Sequence, residues 1–521
     1  MRRRAYEPPA IRFSRIQHAA CCSISLFASL AFCAVGFAAF APGCGGSKAD
    51  GLQGGEEGVG GDDASFGSSG GGSGGGSSGS GVFGSSGDGG TPVQTMNCPG
   101  CYVDTSCAGG GHTTISGTVF DPAGKNPLNN VVVFAPRDVT QLPTIRQGTN
   151  TCNTCDTPIG DYFAATVSDA KGHFSLSDIP TGTDVPFVAQ TGKWRYVFRV
   201  TTKDCANTAV TNGVARLPRN HMEGDMPQMA LLTGSADNLG CFLSGIGIAN
   251  SEFTAPHGGG RLDIYKGLGN GAPGVTGGTA GDCTTSSCPL WQSRSSLEAY
   301  DIVLLACEGG EHGETKPQSA LTAMHDWLGE GGKAFATHYH YYWFEDGPAD
   351  FKSVATWGNA GFLDPAIGAG NYNINTGFAG GTTFDQWLGN VGALNADGTI
   401  ALTNVAASIN TVNAPTLEWI SGGGALGDSG PIDPTKYMSF GTPIGGVAVT
   451  SDGGETTRSY CGKAVVTDLH AGGTKPKGDL PDSCGTPDLS AQEKALEFLF
   501  FDLAACVRDE TVPQMMPPPP K

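Results

Sequence analysis

Apolar positions along the chain follow two different rhythms. Between Thr113 and Val200 they come in short β-branched or alternating runs: Thr113–Phe120, Asn130–Phe134, Ala165–Asp169, His173–Leu176, Val185–Gln190 and Trp194–Val200. Gly, Pro and Asp punctuate them. Asp121-Pro122-Ala123-Gly124 and Ile179-Pro180-Thr181-Gly182 are turn sequences, because proline presets φ and glycine supplies a left-handed residue. Short strands so spaced predict a small all-β sandwich over 98–220. Trp194 and Tyr196 would share one strand face, as core or edge packing, or as a stacking surface for a sugar.

Further on, the apolar runs lose their alternation. Gln228–Gly234, Asp301–Ala306, Lys333–Thr337 and Lys463–Leu469 read as strands buried on both faces, with Arg261–Tyr265 as another. Helical spacing fits Leu239–Leu243 and Pro317–Leu328, where Leu321, Met324 and Leu328 share a face. Ser490-x-x-Glu493 is a capping box opening a helix to about Cys506. Strands alternating with helices predict a doubly wound α/β domain with a mostly parallel sheet over 225–508. Ligands in such sheets sit beyond the carboxyl ends of the strands. That rule singles out Cys307-Glu308, His338-Tyr339-His340 and Asp468-Leu469-His470.

The remaining segments are not core-forming. Five arginines from Arg2 to Arg15 precede an uncharged apolar run, Ala19–Ala41, which reads as an export signal over 1–43. Ala41-Pro42-Gly43-Cys44 resembles a bacterial lipobox, which makes Cys44 the expected lipidation site. An uncleaved anchor or cleavage after Ala41 are the alternatives. Residues 51–90 hold 19 Gly and 9 Ser, so 44–97 is expected to be a flexible tether. A Pro-rich disordered tail is expected over 509–521. The expected location is the bacterial cell envelope, as an outer-membrane lipoprotein or a secreted protein, with the membrane as partner through Cys44 or the apolar segment. Net charge is −19, which excludes a nucleic-acid partner for want of a basic face.

Seventeen cysteines suit an oxidising compartment. Cys98-x-x-Cys101 with Cys152-x-x-Cys155 has the spacing of a four-thiolate zinc site, yet disulfides are the expected state in an exported chain. Cys307, closing an apolar strand, is the candidate unpaired thiol.

Two resemblances add to this. Ser116-Gly117-Thr118-Val119 with Asp121, Gly124 and Pro127-Leu128, then Thr166–Phe174 with Ile179-Pro180 and Gly182, resembles the carboxypeptidase regulatory-like (transthyretin-like) sandwich. The resemblance implies a non-catalytic spacer or adhesion module. Tyr300–Val303, Gly331–His338 and Gly462–His470 resemble the class I glutamine-amidotransferase-like fold, in particular its trehalose-utilisation branch. In that fold a nucleophilic Cys follows the strand that ends here at Thr337, and this chain has His338 there. Thiol-dependent glutamine hydrolysis is therefore not expected.

The candidate chemistry rests on His338, His470 and Asp468 as acid–base residues, with Glu308, His340, Tyr341 and Trp343 as ligand-binding residues. His338 and His340 would share a face if their strand continued. No cofactor is expected; a divalent metal, if bound, would use His338, His340 and His470. The aromatic run Tyr339–Phe344 suits either a carbohydrate-stacking surface or a core-lining loop. The leading expectation is a surface binding or adhesion lipoprotein, for carbohydrate or a surface protein, with a catalytically degenerate amidotransferase-like domain. The alternative is a surface enzyme acting on sugars or glycoconjugates through a His338/His470 cleft.

Overall fold

The computed structural model describes residues 98, 100–104, 107–148, 152, 159–269, 275–358, 369–427, 430–450, 456–471, 484 and 488–513. All belong to one compact unit, Gly84–Lys521. The signal, Cys44, the tether, Cys155 and the Pro-rich end lie outside the described residues. Among the described residues no helix is long and apolar enough to cross a membrane.

The first strands are β1 (Thr114–Thr118), β2 (Val132–Pro136), β3 (Tyr162–Val167), β4 (His173–Ser177), β5 (Gly182–Thr191), β6 (Trp194–Thr202) and β7 (Asn207–Ala209). They form two small sheets, β3–β2–β5–β6 and β4–β1–β7. In β4 the alternation works as expected: Phe174 and Leu176 are buried while His173, Ser175 and Ser177 are exposed. The preceding turn is held by Asp169, whose Oδ1 accepts from the backbone N–H of Lys171 and His173 at 2.8 and 2.9 Å.

The second sheet uses β8 (Met229–Thr233), β9 (Leu262–Lys266), β10 (Ile302–Leu305), β11 (Lys333–Thr337), β12 (Ala369–Ile374), β13 (Ile400–Thr403), β14 (Leu417–Ser421), β15 (Thr435–Thr442) and β16 (Gly462–Thr467). Its order is β9–β8–β10–β11–β16–β15–β14–β12–β13. The first five are mutually parallel. From β16 onward every pairing is antiparallel. The sheet is therefore mixed, and the expectation of a mostly parallel one holds only for its first half. Those parallel strands are buried on both faces: Met229 and Leu231 join the apolar cluster on one side, Ala230 and Leu232 that on the other.

Helices α1 (Leu239–Gly245), α2 (Gln318–Gly329), α3 (Ala379–Asn390) and α4 (Ala491–Ala504) cover the sheet. The Ser490–Glu493 capping box that opens α4 is formed in both directions. Leu496, Leu499, Phe500 and Leu503 are buried, as their spacing requires.

The sandwich and α4 share a core. Trp194 is buried with its ring 6.1 Å from that of Phe501, so it is packing and not a sugar platform; Tyr196 lies under the Arg216 guanidinium at 4.8 Å. The Trp387 indole N–H donates to the Pro127 carbonyl at 2.6 Å, and Cys152 is disulfide-bonded to Cys461 across the two sheets. Cys98 pairs with Cys101, so the four-thiolate zinc arrangement does not form. Glu510, inside the stretch expected to be a disordered tail, is buried beside Lys463, and its carbonyl accepts from Gly380 N–H at 3.0 Å.

Two carboxyls face each other where sandwich meets α4. Burial raises Asp121 to about 6; burial, then the Asp121 charge beside it, holds Glu497 well above the usual carboxylate range. Folded-state values above the unfolded ones mean that stability is full below the ordinary carboxylate range and falls as pH rises through about 6. Glu497→Gln keeps the Asn126 contact in shape and removes the charge. Melting of this variant is expected to exceed wild type at about pH 8 and to converge with it near about pH 4.5, the ordinary carboxylate range. A gap independent of pH would contradict the assignment.

Candidate functional site

Four neighbouring parallel strands end together, and each supplies one chemically active side chain just beyond its carboxyl end. Asp237 follows β8, Cys307 follows β10, His338 follows β11 and His470 follows β16. Two backbone features bring them in. A Cβ on Gly234 would lie 2.1 Å from the Cys307 carbonyl oxygen, so only glycine lets the β8 and β10 ends approach this closely. His338 has φ of 41°, a left-handed conformation that turns the chain out of β11 at once.

One donor atom from each of Cys307, His338 and His470 lies within 4.8 Å of the others. Cys307 Sγ is 3.5 Å from His338 Nδ1, and the two imidazole rings stand edge-to-face with centroids 5.0 Å apart. His338 Nε2 and Asp237 Oδ2 are buried and have no hydrogen-bond partner among the described residues. The other Asp237 oxygen accepts from Ala471 N–H at 2.6 Å and Asn238 N–H at 2.9 Å. His470 Nδ1 lies 2.8 Å from the Asn404 carbonyl, which can only accept, so Nδ1 carries the proton and Nε2 keeps its lone pair. The Gln492 amide donates to the His470 carbonyl at 2.6 Å and accepts from Thr403 N–H at 2.9 Å, anchoring this loop to α4. His338, His470 and Asp237 keep 6%, 4% and 8% of their surface, so the cluster is nearly closed to solvent.

Burial pushes the Cys307 thiol up to about 12. Burial, then the charges of His470 and His340, push His338 down to about 3. Both shifts oppose proton transfer from that thiol to that imidazole, so the pair is not set up as a thiolate–imidazolium nucleophile.

The other expected site residues have different tasks. His340 is fully engaged: Nε2–H donates to the Ala306 carbonyl at 3.0 Å, and Nδ1 accepts from the Trp343 indole at 3.2 Å. It does not share a face with His338, because β11 stops at Thr337 and a turn of 3₁₀ helix follows. Tyr341 and Trp343 are wholly buried, Tyr341 bonded to Glu311 and Trp343 packed on Trp291 with centroids 5.0 Å apart. The aromatic run is thus core lining, apart from half-buried Tyr339 and Tyr342; the Tyr339 ring lies 4.0 Å from that of His338. Asp468 Oδ2 accepts from Ser408 N–H at 2.7 Å and fixes the 404–408 loop instead of joining the histidines. Glu308 is fully buried, bonded to Lys316 Nζ at 2.8 Å and to Leu268 N–H at 2.7 Å.

Sequence reasoning found His338 and His470 but missed Asp237 and the approach of the Cys307 sulfur to His338. Asp237 follows the apolar run Gln228–Gly234, and the same strand-end rule applied there would have found it.

No family model and no curated protein matches the chain. Among solved structures it is weakly similar to a cytoplasmic protein from Salmonella typhimurium (TM-score 0.27, 9% identity, covering 54% of this chain and 100% of that one). It is also weakly similar to a ThuA-like protein from Bacteroides uniformis (TM-score 0.23, 11% identity, 52% of this chain and 89% of that one). Similarity this loose carries no argument about chemistry.

The buried Glu308–Lys316 pair underlies the loop that carries Cys307. Lys316→Met leaves an uncompensated carboxylate and is expected to cost about 3–5 kcal/mol in urea unfolding. Adding Glu308→Leu should recover most of the loss. No recovery in the double variant would show that Glu308 has a role beyond pairing.

Proposed function

We propose that the chain is an exported cell-envelope protein, tethered through Cys44, that binds a small ligand at the cluster of Asp237, His338 and His470. The observation that carries this reading is the convergence of four adjacent strand ends on two buried polar atoms without partners, His338 Nε2 and Asp237 Oδ2. Polar atoms buried without partners cost stability and are kept where they serve a ligand. The fold resemblance does not extend to glutamine hydrolysis, because His338 stands at the nucleophile position and the neighbouring thiol is held protonated. The ring-to-ring approach of His338 and His470 supports a second reading, acid–base chemistry on a sugar or glycoconjugate.

A thermal-shift screen of the full chain against small sugars, with His470→Ala alongside, tests binding. A bound ligand at a hundred times its Kd adds about 2.7 kcal/mol to stability, and the shift should vanish in the variant. Ammonia release from glutamine is expected to be absent. Turnover abolished by Cys307→Ser would overturn the reading. A glycoside substrate cleaved by wild type and not by His470→Ala would establish the second one.

A further inference from the structure

The described cysteines other than Cys307 are disulfide-bonded, and Cys307 alone stays a thiol. It is buried beside two imidazoles, neither of which is closed to an incoming ion. His338 uses neither ring nitrogen on an oxygen or nitrogen partner among the described residues; its nearest polar neighbour is the sulfur itself. His470 donates its Nδ1 proton to a backbone carbonyl, the second-layer contact that metal-binding histidines ordinarily make, which fixes the ring and leaves Nε2 as donor. His340, two residues from His338, has both nitrogens spent and makes the contrast plain.

The spacing suits one ion. A tetrahedral zinc site with Zn–S near 2.3 Å and Zn–N near 2.0–2.1 Å has sulfur–nitrogen edges of roughly 3.5 Å. Cys307 Sγ and His338 Nδ1 are 3.5 Å apart, and the whole triad falls within 4.8 Å. Asp237, its Oδ2 unpartnered, stands close enough to His470 and Cys307 to act on both electrostatically. One thiolate with two imidazoles is a borderline-soft donor set, suited to zinc-class transition ions and poor for calcium or magnesium, which take oxygen ligands.

We infer that Cys307, His338 and His470 form a mononuclear site for a divalent transition-metal ion of the zinc class, with Asp237 beside its fourth position. The inference rests on the reading that this cluster is the chain's ligand site, and it replaces His340 by Cys307 in the donor set that the sequence suggests. The ion would give the buried thiol and His338 Nδ1 a common partner.

Cobalt titration of the full chain, disulfides intact and without added thiol, tests it. The expected result is one thiolate-to-cobalt charge-transfer band in the near ultraviolet, saturating at one ion per chain and displaced by Zn²⁺. Cys307→Ser should abolish the band. His470→Gln and His338→Asn, the latter chosen because asparagine tolerates the left-handed backbone, should weaken binding about 10-fold or more. No band, or a band unchanged in Cys307→Ser, overturns the site; if His338→Asn does not fold, Cys307→Ser decides alone. A sugar shift that depends on His470 without any cobalt band would sink the metal centre and leave the ligand pocket standing.

Discussion

Everything at the candidate site depends on how close the ends of neighbouring parallel strands can come. Strands in a sheet lie about 4.8 Å apart, so side chains leaving four of them would ordinarily spread over roughly 14 Å. Here the spread is reduced by two local devices. Gly234 lets the β8 end press against the Cys307 carbonyl, where any side chain would collide. His338 takes a left-handed backbone immediately after β11 and swings its ring toward Cys307 and His470. Strained backbone of this kind persists only where the surroundings enforce it, and it clusters at working sites.

The surroundings that enforce it are unusually shared. The α4 helix is packed between the mixed sheet and the sandwich, and one apolar cluster runs from Ile115 and Phe187 through Leu496 and Phe501 to Trp387 and Trp419. The Cys152–Cys461 disulfide ties the same two regions covalently. Gln492, in the first turn of α4, holds the His470 loop, so the sandwich interface and the site meet on one helix. The two small sheets are accordingly part of the scaffold that positions His470.

Much of this was legible in the residues. Continuous apolar runs such as Ile302–Leu305 and Lys333–Thr337 can only be strands covered on both faces, and the Ser490–Glu493 box marks its helix to the residue. Cys307 stood out as the unpaired thiol because it closes such a run. The antiparallel half was not legible: β13 is four residues with alternating exposure, and β15 buries Lys436 and Ser439, so its pattern does not look apolar. The phase of the His338–His340 segment was lost for a different reason. A strand continued past Thr337 would put both rings on one face, and only the turn at His338 sends His340 to the Ala306 carbonyl and brings Cys307 into its place. The aromatic run is ambiguous in sequence because rings that stack on sugars and rings that fill a core have the same composition.

The donor set at the strand ends, one sulfur and two imidazoles, is what remains to be measured. X-ray absorption at the zinc edge, on the zinc-loaded full chain with its disulfides intact, reads that coordination directly. One sulfur at about 2.3 Å and two imidazole nitrogens at about 2.0–2.1 Å are the expected result. A shell of oxygen and nitrogen with no sulfur would contradict it.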